Sequence, residues 1–238
     1  MLNASQLLTG YARGVFPMAV SAEDDRLHWF DPPLRGVLPV GGVHASRSLR
    51  RSLAAEGWSA EISADFDAIV QACADRPETW INAPLRQLYA DLHARGHAHA
   101  LAVHRRGRLA GGIFGVTLGG AFFGESMFSA QRDGSKMALV WISDHLARCG
   151  FTLFDTQYLT PHLATMGGQE IPRSAYRREL VRAVALATDF AAYPLSSAAA
   201  LSASLSSVAD GSAAGRSAAA SAGTASPSPP SGMAVSGS

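Results

Sequence analysis

Beyond Gly96 the apolar pattern loses its helical period. Residues 98–104, 109–118 and 120–128 then read as three successive strands, joined by Arg105-Arg106-Gly107-Arg108 and by Gly119-Gly120. Links this short permit only an antiparallel meander, so the chain is committed to a sheet. The third strand carries Phe122-Phe123-Gly124-Glu125-Ser126-Met127-Phe128-Ser129, which sets one carboxylate and two hydroxyls in an otherwise apolar run. A carboxylate buried there is costly unless a basic or hydrogen-bonding group meets it. Glu125 therefore faces a cation or sits in a pocket that receives one.

The segments around the meander are shorter and mixed. Leu7, Leu8 and Tyr11 give a helix that stops at Gly14 and Pro17, and Trp29-Phe30-Asp31-Pro32-Pro33 reads as turn chemistry. A short strand at 36–40 precedes a helix over 46–56 capped by Ser46, then come a strand at 59–63 and a helix near 65–74. Pro84 opens a further helix with Leu85, Leu88, Tyr89 and Leu92 at helical spacing up to Gly96. After the meander, Ser135 starts a helix running to Gly150, 151–155 reads as a strand, and 173–187 as a last helix. This order predicts an α+β domain with an acyltransferase-like mixed sheet flanked by helices.

Composition sets the limits. In 238 residues, 47% are apolar and 16% charged, enough for a real core. A net charge of +1 gives no global field for a polyanion, so any nucleic-acid contact must come from a local patch. Cys73 and Cys149 match neither a CxxC pair nor a zinc spacing, which points to a reducing cytosol and a cytoplasmic protein. No signal peptide and no membrane span are expected. Residues 196–238 are almost wholly Ser, Ala, Gly, Pro and small apolar residues, with Asp210 and Arg216 the only charges, and are expected to be disordered.

Several groups are candidates for chemistry. Asp155 and Gln157 lie two apart at a strand end, so an extended chain would present carboxylate and amide together, to hold an amine or simply to cap the strand. Gln131-Arg132-Asp133-Gly134-Ser135-Lys136 opens a helix, where free N–H groups favour anions. Coenzyme A-dependent acetyltransferases hold pyrophosphate at such a place, but Lys136 crowds the last position, favouring a related fold with another acyl donor. Arg47, Arg50 and Arg51 share one helical face, with Arg35 and Lys136 as allies: either a phosphate-binding stripe or a solvated face. His93, His97 and His99 lack an acidic partner and Gly96 interrupts their helix, so no metal site is expected. Gly124-Glu125-Ser126 lacks the second glycine and the strand-to-helix turn of a nucleophile elbow.

Taken together the pieces resemble bacterial leucyl/phenylalanyl-tRNA–protein transferases. The matching elements are Tyr11-x-x-Gly14-x-Phe16-Pro17-Met18, Trp29-Phe30-x-Pro32-x-x-Arg35, His44-x-Ser46-Arg47-Ser48 and Thr79-Trp80-Ile81. They continue with Leu92-His93-x-x-Gly96-His97-Ala98-His99, Gly111-Gly112-x-x-Gly115-Val116 and Phe123 to Ser129. Last come Ser135-Lys136-x-Ala138-Leu139, Asp155-x-Gln157, and His162-Leu163 with Gly167 and Arg173, so that about residues 5–187 are covered.

The resemblance implies transfer of Leu, Phe and less readily Met from aminoacyl-tRNA to the α-amino group of proteins beginning with Arg or Lys, which marks them for N-degron degradation. It implies a GNAT-like (acetyltransferase-like) catalytic domain at 34–190 behind a small N-terminal domain at 1–33, a tail from 191, no cofactor and a monomer. By resemblance Glu125 meets the basic acceptor, while Asp155 and Gln157 orient the attacking amine and help move its proton. Ile113, Phe122, Gly124 and Met127 line the aminoacyl side-chain pocket. Trp80 and Tyr89 contact the terminal adenosine, and Arg47, Arg50, Arg51 and Lys136 contact tRNA. The chain departs from the family at Ala100-Leu101-Ala102, where Ser-x-Glu is usual, and at Met18, where some members carry an aromatic residue. An acetyl-coenzyme A-dependent N-acetyltransferase and a non-catalytic tRNA- or peptide-binding module remain the alternatives.

Overall fold

A computed structural model describes residues 2–22, 24–62 and 65–211, with side chains as far as 206. Asn3 caps α1 (Ala4–Ala12) through a reciprocal pair with Gln6. Strands β1 (Phe16–Met18) and β2 (His28–Phe30) then pair antiparallel as a separate ribbon. Trp29 and Phe30, expected in a turn, are thus strand residues, and the turn is confined to the prolines that follow. β3 (Leu34–Leu38) precedes α2 (Arg47–Ala55), whose cap is Ser46, and β4 (Trp58–Ile62). Asp65 caps α3 (Phe66–Ala74), and Asn82 caps α4 (Ala83–Ala94) with Pro84 in its first turn.

The expected meander is present as β5 (Ala98–Arg105), β6 (Arg108–Leu118) and β7 (Ala121–Ser129). Arg106 and Gly107 both adopt positive φ, 52° and 73°, the requirement of a two-residue hairpin turn between paired Arg105 and Arg108. α5 (Gly134–Arg148) then crosses to β8 (Leu153–Gln157), and α6 (Pro161–Thr165), β9 (Gln169–Pro172) and α7 (Arg173–Val184) follow. A side chain at Gly134 would overlap the Ala110 carbonyl, so α5 starts directly against β6.

Seven strands form one mixed sheet in the order β4-β5-β6-β7-β8-β3-β9, in which only β7 and β8 run parallel. Alternation divides the core between its faces. Leu101, Val103, Ile113 and Phe122 pack with α2 and α5, whereas Ala100, Ala102, Phe114 and Phe123 pack with α1, α3, α4 and α7. Neither α6 nor β9 was expected: each is short and without an apolar period of its own.

The expected tail is described only in part, and that part is ordered otherwise than anticipated. Residues 198–211 form α8 (Ala198–Gly211), whose Leu201 is buried, and Trp141 Nε1 donates to Ser196 O at 2.8 Å. Few apolar residues are needed when they fill an existing gap: Phe190, Leu201 and Leu205 join the core cluster already built by α2 and α5. Residues 212–238 of the expected tail lie outside the described residues.

Candidate active site

The parallel pairing of β7 with β8 ends at Phe123 opposite Asp155. Beyond that point β7 stays with β6 and β8 with β3, so the sheet splits. A cavity of about 310 Å³ opens in the split, lined by Gly124–Met127 on one side and Thr156–Tyr158 on the other. Ile113, Leu139, Phe154 and Leu163 supply apolar wall, and Arg76, Trp80 and His162 supply polar and aromatic wall.

β7 carries an irregularity at this place. Phe114 pairs with Ser126 and Gly115 with Gly124, so Glu125 is an extra residue without a partner on β6. Such a bulge resets the alternation of its strand. Glu125 therefore turns to the α1/α4 face, and Met127, two residues on, packs with the opposite core. The carboxylate accepts one hydrogen bond from Tyr11 Oη and one from Tyr89 Oη, both 2.7 Å, and meets no cation among the described residues. Burial raises its pKa to about 7 and the charge of Asp155 adds to that, although the two tyrosine bonds and Arg35 oppose it. Burial and the neighbouring Glu125 push both phenols well above 10, which keeps them donors.

Asp155 has the opposite surroundings. Arg35 Nε and Nη2 donate to its two oxygens at 2.8 and 2.7 Å, Tyr176 Oη donates at 2.7 Å, and the Gln157 backbone N–H at 2.8 Å. Arg35 is only 1% exposed, lies between the rings of Phe16 and Tyr176, and also donates to Gly14 O. Burial works against its charge, but Asp155 outweighs this and holds the guanidinium above its ordinary pKa. Arg35 is thus an internal counter-ion and no ally of the α2 arginines.

The expected pairing of Asp155 with Gln157 takes a different form. Gln157 has φ of 61°, a conformation costly for a residue with Cβ, and the Asp155 carboxylate holds it by accepting its backbone N–H. The side chains consequently diverge: Asp155 is sealed behind the wall while Gln157 lines the cavity. With its amide nitrogen turned inward, Gln157 donates to Gly124 O at 3.0 Å and Thr156 O at 2.9 Å, tying together the strands that separate. Thr156 Oγ1 is buried without a hydrogen-bond partner among the described residues.

The structure gathers Glu125, Gln157, Ile113, Gly124, Met127 and Trp80 around one cavity. It does not bring the other candidates there. Phe122 stands one layer back, edge-on to Phe154, which forms the wall in its place. Tyr89, expected against adenosine, is fully buried, edge-on to Phe114, and serves Glu125. Lys136 pairs with Asp133 at 3.3 Å, and its charge, after burial, depresses the His162 pKa. Arg47 and Arg51 are exposed on α2, whereas Arg50 donates to Leu205 O of α8 at 3.3 Å. Ser126 Oγ accepts from Arg76 and is no nucleophile elbow, and no group of three or more potential metal ligands exists among the described residues.

Sequence reasoning missed Tyr11, Arg76, Leu139, Phe154, Thr156 and Leu163. The apolar ones could not be told from core by their spacing. Tyr11, Leu139 and Leu163 stood within motifs already recognised, though without a role.

A sequence profile described as leucyl/phenylalanyl-tRNA protein transferase matches residues 37–181, and one described as its N-terminal domain matches residues 1–33. A leucyl/phenylalanyl-tRNA–protein transferase of Paracoccus denitrificans is 58% identical over 84% of this chain and 94% of its own length. One of Dinoroseobacter shibae is 54% identical over 82% and 87%. Among solved structures, FemX aligns with 64% of this chain and 59% of its own at 10% identity and a TM-score of 0.42, a likeness too slight to carry an argument.

Proposed function

The chain belongs to the leucyl/phenylalanyl-tRNA–protein transferase family, and on that premise we propose that the split-sheet cavity is where an aminoacyl group passes from tRNA to a protein amino terminus. The enzyme is an aminoacyltransferase. Its acceptors begin with Arg or Lys, and the product is marked for N-degron degradation. The catalytic unit is a GNAT-like domain at 34–190 carrying a small N-terminal domain at 1–33. Its support is the run of antiparallel strands β4 to β7, followed by helix α5 and the parallel strand β8. The enzyme acts as a cytoplasmic monomer.

The observation that carries this reading is one cavity lined by both a set of apolar side chains and a few polar and charged ones. Ile113, Met127, Leu139, Phe154 and Leu163 suit the side chain of Leu, Phe or Met. β-Branched donors, stiff at χ1, fit less well, and since one methylene is worth about 1–3 kcal/mol the preference is graded. Glu125 faces the cationic acceptor, and Trp80 receives the terminal adenosine.

The chemistry requires little. The donor ester is already activated, and an α-amine of pKa about 7.7–8.0 is partly neutral near pH 7.5. The amine nitrogen attacks the ester carbonyl, a tetrahedral oxyanion forms, the amide closes, and the ribose oxygen leaves with the proton the amine gives up. Gln157 orients the amine. Asp155, enclosed by four hydrogen bonds, acts through Gln157 by fixing its backbone. Alignment of amine and ester supplies most of the acceleration.

The test is transfer of labelled Leu or Phe from charged tRNA to a peptide beginning with Lys or Arg, with a peptide beginning with Glu as control. Gln157→Asn tolerates the left-handed backbone but shortens the reach, so it is expected to lower kcat about 10²-fold with thermal stability kept. Absence of transfer by the folded wild-type protein with tRNA bound would instead favour a binding module.

A further inference from the structure

Among the described residues, Arg76 is the cavity wall's only side chain with a permanent positive charge, and the role described so far does not use it. It sits on the segment between α3 and α4, four residues before Trp80. The segment is fastened at both ends: Asp75 N–H donates to Gln71 O at 2.9 Å, and Asn82 Nδ2 donates to Asp24 O at 2.7 Å. The guanidinium makes one side-chain hydrogen bond, Nη2 to Ser126 Oγ at 3.2 Å, and no ion pair with a carboxylate among the described residues. A guanidinium has five N–H donors in a planar fork, so most of this fork remains available. It is exposed, and the half-buried Trp80 of the same segment lines the same cavity. An aromatic ring and a guanidinium on one cavity wall suit a nucleotide: the ring takes a base by stacking, the fork takes a phosphate bidentately.

The cavity wall therefore holds one carboxylate, Glu125, and one guanidinium, Arg76, on neighbouring segments. The substrates have matching opposite charges: an acceptor with a basic amino terminus, and a donor whose terminal adenosine carries a 5′-phosphodiester. We propose that Arg76 binds the phosphate on the 5′ side of the donor's terminal adenosine and so sets the depth at which the aminoacyl ester enters the cavity. This rests on the transferase reading given above and adds to it a specific contact with the donor backbone.

Two small donors isolate the contact: adenosine bearing phenylalanine on its 3′-oxygen, and the same compound with a 5′-phosphate. The wild-type enzyme is expected to use the phosphorylated donor with a KM about 10-fold lower, and Arg76→Ala to treat the two alike. Arg76→Lys, a point charge without the fork, should keep part of the preference. The acceptor KM should change less than twofold in both variants, and thermal unfolding should match wild type, because the side chain is exposed. An equal phosphate preference in wild type and Arg76→Ala overturns the proposal, as does an effect confined to the acceptor KM. If wild type transfers from neither small donor nor charged tRNA, the transferase reading itself fails. Transfer from both small donors without phosphate discrimination removes Arg76 alone.

Discussion

Glu125 and Asp155 are carboxylates on strands that part from one another, and the chain has settled their burial in opposite ways. Asp155 is neutralised internally by a fully enclosed arginine and saturated with four donors. Glu125 receives two phenol hydroxyls and no cation. The first arrangement is closed and serves to hold a strained backbone. The second is unfinished, because hydroxyls satisfy the oxygens without cancelling the charge, and on the proposed function a cationic acceptor completes it. Burial alone thus does not separate a structural carboxylate from a binding one; the partner does.

Breaking the closed side should have the largest effect. Asp155→Ala leaves Arg35 buried without a counter-ion and is expected to cost about 3–5 kcal/mol of stability, read by urea unfolding. Arg35→Met combined with Asp155→Leu should recover much of that stability without recovering transfer. A double variant as unstable as the single one would show that the pair does more than balance its own charge.

The open side should respond to pH. Glu125 titrates near 7 in the folded protein against an ordinary value of 4.5, so between these values the folded state holds a proton that the unfolded state has released. Stability should fall as pH rises through this window and level off above 7. The loss is at most about 3.5 kcal/mol, each pH unit being worth about 1.4 kcal/mol. Glu125→Gln should flatten the slope and should weaken binding of peptides beginning with Lys or Arg. Wild-type and variant unfolding curves that run parallel from pH 4.5 to 8 would contradict this account. In wild type, acceptor binding should strengthen as pH rises through about 7 and the carboxylate forms.

The smallest expected effect is that of Tyr89→Phe, which removes one donor to Glu125. It should cost about 1 kcal/mol below the titration and move the upper edge of the pH window above 7, measurable by the same unfolding series. An unmoved edge would mean that the Tyr89 hydroxyl has no part in setting the acidity of Glu125.

Much of this was legible in the sequence where a rule is local. The turns at Arg106-Gly107 and Gly119-Gly120 dictated the meander, and the Ser46 cap and the first-turn Pro84 placed α2 and α4. What failed was whatever depends on a partner far along the chain. Two-residue spacing predicted Asp155 and Gln157 on one face, but Arg35, 120 residues earlier, pulls the carboxylate inward and the backbone turns left-handed. Arg35 looked like a surface charge because nothing beside it announces Asp155. Tyr89 was placed on the ligand, whereas its helical spacing with Leu85, Leu88 and Leu92 had already put it in the core. The tail helix escaped notice because its composition is that of a linker, and only the gap over α2 and α5 gives Leu201 a place.

The bulge at Glu125 has a consequence for how two substrates can be brought to reacting distance. One strand supplies two parts of the same cavity wall, the Glu125 carboxylate and the Met127 side chain, two residues apart. On the proposed function, the separation between the ends of donor and acceptor would be set by covalent bond lengths, like marks on a ruler, and not by how far a loop closes. Removing a single residue there would leave a continuous, well-paired strand and erase one of the marks.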